Sequence, residues 1–138
     1  MGADFEVVEH TADIGIVACG STLEETFAAA ARGMFSIMVD LDEISPAAPR
    51  DIEVRASDLE LLLVEWLSEL LFIFETEYLL FSRFEVSFAA EGQLRARAWG
   101  ERINPERHHI GTGIKAVTRH MLSLERRDGY RATVIFDV

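Results

Sequence analysis

Two aspartates stand where a strand has no ordinary use for them. Asp13 follows "HTA" and begins the apolar run "DIGIVA", and Asp137 is the next-to-last residue of "VIFDV". An unpaired buried carboxylate is costly, so each needs solvent, hydrogen-bond donors or a cation. In a continuous strand over 6–16, Glu9, Thr11 and Asp13 share one face, with Val8, His10, Ala12 and Ile14 on the other. The sequence stops inside an apolar strand rather than in a polar tail, which sets a carboxylate of Val138 beside Asp137. If the first and last strands are neighbours, Asp13, Asp137 and Val138 converge as an all-oxygen set. Such a set suits a hard divalent ion: Ca²⁺, or Mg²⁺ or Mn²⁺. The alternative is that Asp13 caps a turn between two strands.

Lys115 is the single lysine beside 12 arginines. Where every other basic position is arginine, a lone ammonium suggests a point charge for phosphate or carboxylate; chance at a surface position is the competing explanation. His10 falls on the apolar face of its run, where a hydrogen-bonded core histidine is the ordinary outcome and a ligand the other. His108 and His109 are adjacent and point apart if extended, and with His120 they lack a zinc-like spacing. Cys19 has no base nearby in sequence and is expected to be a small buried residue. No nucleophile elbow, phosphate-binding glycine loop or arguable Ser-His-Asp order is present. Arg95, Arg97, Arg102 and Arg107, with "RRDGYRA", make a modest basic patch for RNA or an acidic protein, or a solvated sheet face.

The elements that must position these residues follow from periodicity. Extended runs at 5–9 and 13–19 precede "STLEE", where Ser21 and Glu24 have capping-box spacing, so a helix is expected from about Thr22. Leu23, Phe27, Ala30, Met34, Phe35 and Met38 give it one buried stripe. "DIEVRA" (51–56) alternates as a strand, and Ser57 with Glu60 repeats the capping pattern ahead of a second helix. That helix is apolar over about half its circumference, as suits packing on a sheet. A hairpin turning at Gly92 follows, with Arg95, Arg97 and Trp99 on one face. "NPERHHIGTG" is a polar loop. The final section reads as two strands joined at "RDG", with "IKAVTRHML" also compatible with a helix. The order predicts a single α+β domain over 1–138, a two-layer sandwich with two main helices on one face of a mixed or antiparallel sheet. The strand-plus-capped-helix pattern occurs twice, as a degenerate duplication would.

Composition narrows the function. The chain has 138 residues, is 49% hydrophobic and carries a net charge of −11. Residues 1–77 hold 17 acidic and 3 basic residues (−14), and residues 78–138 hold 7 and 10 (+3). An acidic chain is a poor general nucleic-acid binder, while the acidic half suits a basic surface on a partner protein. Glu60, Glu65 and Glu69 interrupt the most apolar stretch, which argues against a membrane span. With one cysteine and an acidic N-terminus lacking a signal-like apolar core, a cytoplasmic location is expected.

Taken together and in order, "EHTADIGI", "DLELLLVEWLSELL", "WGE", "IKAVTRH" and the terminal "VIFDV" resemble the archease family over nearly the whole chain. The resemblance implies a cytoplasmic, non-catalytic accessory protein of an RtcB-type RNA ligase. That ligase joins RNA ends in tRNA splicing and repair with GTP and a divalent metal, and the accessory protein promotes its guanylylation and turnover. The implied fold is an SHS2-like module with a second copy inserted. The implied metal site is Asp13 and Asp137 with an oxygen of Val138. Lys115 of "KAVT", Asp13, Asp137 and His10 are the residues expected to act in ligase activation, with RNA touched only indirectly or weakly. The pattern departs at Gly113 and Arg119, where many relatives have an acid and a tyrosine. Two other readings compete: a chaperone-like acidic adaptor for an RNA-modifying enzyme such as a methyltransferase, and a small metal-dependent phosphohydrolase.

Overall fold

Both helices begin where a side chain satisfies their first free N–H groups. In the computed structural model, which describes residues 4–9 and 13–138, α1 spans Leu23–Met38 and α2 spans Leu59–Glu77. Thr22 Oγ1 accepts from the Glu25 N–H (3.1 Å), and the Glu25 carboxylate accepts from the Ser21 N–H (3.0 Å). The capping pair is therefore one residue later than Ser21 and Glu24; both pairs have the required spacing, and spacing alone does not choose between them. The same slip occurs at α2, where Asp58 accepts from the Leu61 N–H at 2.8 Å. A carboxylate is as good a cap as the neighbouring Ser57 hydroxyl.

The strands are β1 (Asp4–Glu9), β2 (Asp13–Gly20), β3 (Ala48–Arg55), β4 (Leu79–Ala90), β5 (Gln93–Arg102), β6 (Ala116–Val117), β7 (Ser123–Arg126) and β8 (Tyr130–Asp137). All their pairings are antiparallel, and they form two sheets. In the first, the order is β1-β2-β8, with β6 and β7 sharing the far edge of β8; in the second, it is β3-β5-β4. The segment "IKAVTRHML" is not helical: it supplies β6 and the turn before β7.

Two units of one topology are visible. β3-α2-β4-β5 is strand, helix, strand, strand, with the first strand beside the third and the third beside the second. β2-α1-β7-β8 repeats that arrangement, with the whole of the first unit placed between α1 and β7. The repeated strand-plus-capped-helix pattern of the sequence thus corresponds to a nested pair of modules.

Small residues explain how the two sheets share one core. On one side of α1, a Cβ at Gly33 would lie 3.2 Å from Ile16 and from the Phe5 ring. Phe35, two residues on and about 200° round the helix, meets Phe81 and Phe84 of β4, each at 5.9 Å. Phe27 meets Phe88 at 5.2 Å. α1 is buried on both sides rather than along one stripe, which its alanine run 28–31 permits. Phe81 and Phe84 share a face despite their odd spacing, because the ladder shifts between Phe81 and Arg83. A bulge changes which residues face inward. Gly100, opposite Phe81, admits the Leu80 carbonyl to within 1.8 Å of where a Cβ would lie, so no other residue fits there unshifted. Trp66 of α2 is fully buried and donates its indole N–H to the Phe27 carbonyl at 3.0 Å. No described helix is long and apolar enough to cross a membrane.

Removing the Phe35 ring leaves a cavity where α1 meets Phe81 and Phe84 of β4. Phe35→Ala should lower unfolding free energy by about 3–5 kcal/mol, measured by urea denaturation. Phe72→Ala, on the exposed side of α2, should cost no more than about 0.5 kcal/mol. Equal effects of the two would contradict the placement of α1.

Candidate functional site

The core residues of β2 and β8 determine where the aspartates go. Ile14, Ile16 and Ala18 of β2 and Ala132, Val134 and Phe136 of β8 are buried. Alternate residues face the other side, and there the register sets Asp13 directly opposite Asp137. Side chains at such positions begin about 5 Å apart and point the same way. Asp13 is half-buried and Asp137 exposed. Among the described residues neither carboxylate has a hydrogen-bond or ion-pair partner. Two like charges so placed repel one another unless a cation intervenes.

A third segment arrives at the same end of the sheet. Ala116 pairs with Asp137 from the far side, and the Lys115 N–H donates to the Asp137 carbonyl at 2.7 Å. The Lys115 side chain is exposed and makes no ion pair with a described residue. Val138 follows, half-buried against the core. Asp13, Asp137, Val138 and the Lys115 backbone are thus gathered at one end of β8. His10, with Thr11 and Ala12, lies outside the described residues.

Among the described residues the donors at this place are oxygens, which suits a hard divalent ion. Among the described residues no group of three or more His, Cys, Asp or Glu side chains is close enough to hold a metal. Two carboxylates plus an oxygen of Val138 are what this place offers. Gly113, one of the two departures from the resembled pattern, has nothing within 4 Å of where a Cβ would lie. Space does not demand glycine there.

The other candidates resolve differently. Cys19 is exposed, not buried, because it falls on the outward face of β2 opposite Arg131. Part of the basic patch is neutralised: Arg97 pairs with Asp51 (2.8 Å), Arg95 with Glu53 (2.9 Å) and Arg107 with Glu101. These acids come from β3 and from β5 itself, so the sequence of one strand could not reveal them. Arg102 lies over the Tyr78 ring at 5.9 Å.

One polar cluster was not foreseen. His108 is 2% exposed. Its Nδ1 accepts from the Asn104 N–H at 2.8 Å, which leaves the proton on Nε2, 2.9 Å from Glu101. Glu101 also accepts from the Ser45 N–H at 2.7 Å and pairs with Arg107, which in turn donates to the Glu43 carbonyl. The Arg107 guanidinium, with Ser45 and His108 assisting, holds the Glu101 carboxyl down to about 2. With its acceptors occupied, Glu101 joins segments and offers no open position for a ligand. The Asn104-Pro105 turn was the available signal: Asn104 Oδ1 accepts from the Glu106 N–H and folds the chain back.

The model of the Archease protein family (MTH1598/TM1083) matches residues 5–138. The chain belongs to the archease family. A protein archease of Methanosarcina mazei is 42% identical, covering 99% of this chain and 97% of its own. One of Sulfolobus acidocaldarius is 42% identical over 91% of each chain. The solution structure of a Methanobacterium thermoautotrophicum protein is similar with a TM-score of 0.85 and 42% identity, covering 97% of this chain and 98% of that one. A Thermotoga maritima crystal structure, described as an archease and possible chaperone, matches at TM-score 0.63 and 22% identity over 96% of each chain, a likeness of fold.

The archease's Glu101 cluster carries an acid-dependent contribution to stability. Its carboxyl is lowered from 4.5 to about 2 in the folded state, so its stabilisation is present above about pH 4.5 and is lost as pH falls toward 2. Glu101→Gln should lower the melting temperature at pH 7 and flatten its decline between pH 5 and 2.5. An unchanged slope would show that Glu101 is not held by these donors.

Proposed function

We propose that this archease is a non-catalytic activator of an RtcB-type RNA ligase, acting in tRNA splicing and RNA repair through the end of the molecule that carries Asp13, Asp137 and Lys115. The observation that carries the reading is the cross-strand opposition of Asp13 and Asp137. Two unpartnered carboxylates facing each other are a poor choice for stability alone and a sound one for a divalent cation. Asp13 and Asp137, with an oxygen of Val138, would hold Ca²⁺, Mg²⁺ or Mn²⁺, and the ion would supply a fixed positive charge at the surface offered to the ligase. Lys115 lies on the adjoining segment, where its exposed ammonium can meet a phosphate or carboxylate of the partner. With a net charge of −11 and Arg95, Arg97 and Arg107 paired to acids, RNA contact is weak or indirect.

A second reading is an acidic adaptor for another RNA-modifying enzyme such as a methyltransferase. The charge of −14 over residues 1–77 favours it, and it needs no metal. Capture from a native extract separates the two by whether the ligase or a methyltransferase dominates.

Two measurements test the proposal. In single-turnover guanylylation of the cognate ligase, wild type should accelerate the step and folded Asp137→Ala should not; equal stimulation by both removes the carboxylate site while keeping the partner. Separately, Ca²⁺ at a hundredfold excess over its dissociation constant should stabilise wild type by about 2.7 kcal/mol. Asp137→Asn should gain nothing, and a matching rise in its melting temperature would place the ion elsewhere.

A further inference from the structure

Between β6 and β7 the edge of the first sheet leaves β8 and returns. Val117 pairs with Phe136 and Ser123 with Thr133, so Thr118–Leu122 passes over only Val134 and Ile135. Thr118 pins the departure, donating its N–H (3.0 Å) and hydroxyl (2.8 Å) to the Ile135 carbonyl. The His120 N–H then returns to Thr118 Oγ1 at 3.2 Å, and the Leu122 N–H to the Arg119 carbonyl at 3.3 Å. Met121 stands at the tip with φ of 54° and 66% exposed, the most exposed large apolar side chain among the described residues.

That combination is unfavourable twice over. A left-handed backbone crowds the Cβ of any L residue, and the exposed side chain contributes nothing to the core. The other two non-glycine residues at positive φ, Tyr78 and Asp128, have local reasons. Tyr78 ends α2 with its N–H on the Phe74 carbonyl. Asp128 stands beside Gly129 in the turn between β7 and β8, where both residue types tolerate it. Met121 ends no helix, and asparagine or glycine would suit its backbone better. Methionine does suit an irregular apolar pocket, being unbranched and polarizable.

The surroundings say what kind of pocket. Arg119 and His120 immediately precede Met121 and are exposed, and Lys115 lies just before β6. No side chain of these three has an ion-pair partner among the described residues, so their charge is available to a partner. Ile135, the anchor of the loop, is two residues or about 7 Å along β8 from Asp137.

We propose that the Arg119–Met121 tip is a docking knob: Met121 seats in an apolar pocket of the partner protein whose rim carries carboxylates facing Arg119, His120 and Lys115. The proposal rests on the reading that this end of the archease engages the ligase, and it divides the work. The knob sets affinity, and the carboxylate pair sets the stimulation reached at saturation.

The test is a titration of the cognate RtcB-type ligase with wild type, Met121→Gly, Met121→Glu and Arg119→Glu, reading half-maximal concentration and maximal stimulation separately. Met121→Gly fits the backbone and should melt no lower than wild type; should it melt lower, Met121→Asn takes its place. The knob requires at least a fivefold rise in half-maximal concentration for Met121→Gly, a larger rise for Met121→Glu and Arg119→Glu, and unchanged maximal stimulation. A smaller rise for Met121→Gly overturns it, as does loss of maximal stimulation at unchanged half-maximal concentration. Weakening by Arg119→Glu alone overturns the pocket in favour of a charged surface such as RNA. If wild type neither binds nor stimulates the ligase, the functional reading falls and the knob with it.

Discussion

The pairing of β2 with β8 is the constraint on which the rest depends. It joins the two ends of the chain through a ladder from Asp13↔Asp137 to Gly20↔Tyr130. A one-residue slip would turn Ile16, Val134 and Phe136 to solvent and drive polar residues into the core, because side chains alternate along a strand. Core burial therefore fixes the register, and the register fixes the meeting of the two carboxylates. Their opposition follows from apolar residues that never touch them.

α1 transmits that order to the second sheet. Its small residues let Ile16 and Phe5 approach on one side while Phe27 and Phe35 reach β4 on the other. A Cβ at Gly33 would push Ile16 and the Phe5 ring away by a few tenths of an ångström. Trp66 locks α2 to this helix through a buried hydrogen bond, so neither module owns a core of its own.

Much of this was legible from residue types. Alternation located β3, the hairpin through Gly92 and the last two strands, and the carboxylates at both chain ends were visible because an aspartate in an apolar run has few explanations. What stayed hidden required a partner in space. Each cap was misplaced by one residue because adjacent pairs fitted the same spacing. The second buried face of α1 was masked because alanine and glycine carry little hydrophobic signal. Arg95 and Arg97 read as a basic surface until β3 brought Asp51 and Glu53 across. Cys19 looked buried because cysteine usually is, yet strand parity turned it outward.

The Glu101 cluster has a meaning that its chemistry alone does not suggest. The chain enters the nested unit through 39–47 and leaves it through 103–115. Glu101 bonds to Ser45, Arg107 and His109 bond to Glu43, and the Gly111 N–H donates to the Met38 carbonyl. Entry and exit are tied side by side like the neck of a bag. During folding, closing a loop over nearly the whole chain to pair β2 with β8 is entropically slow. With entry and exit fastened together, the span that β2 and β8 must close is that of an ordinary connection. The tie thus lowers the loop-closure cost of the β2–β8 pairing that brings the two aspartates together.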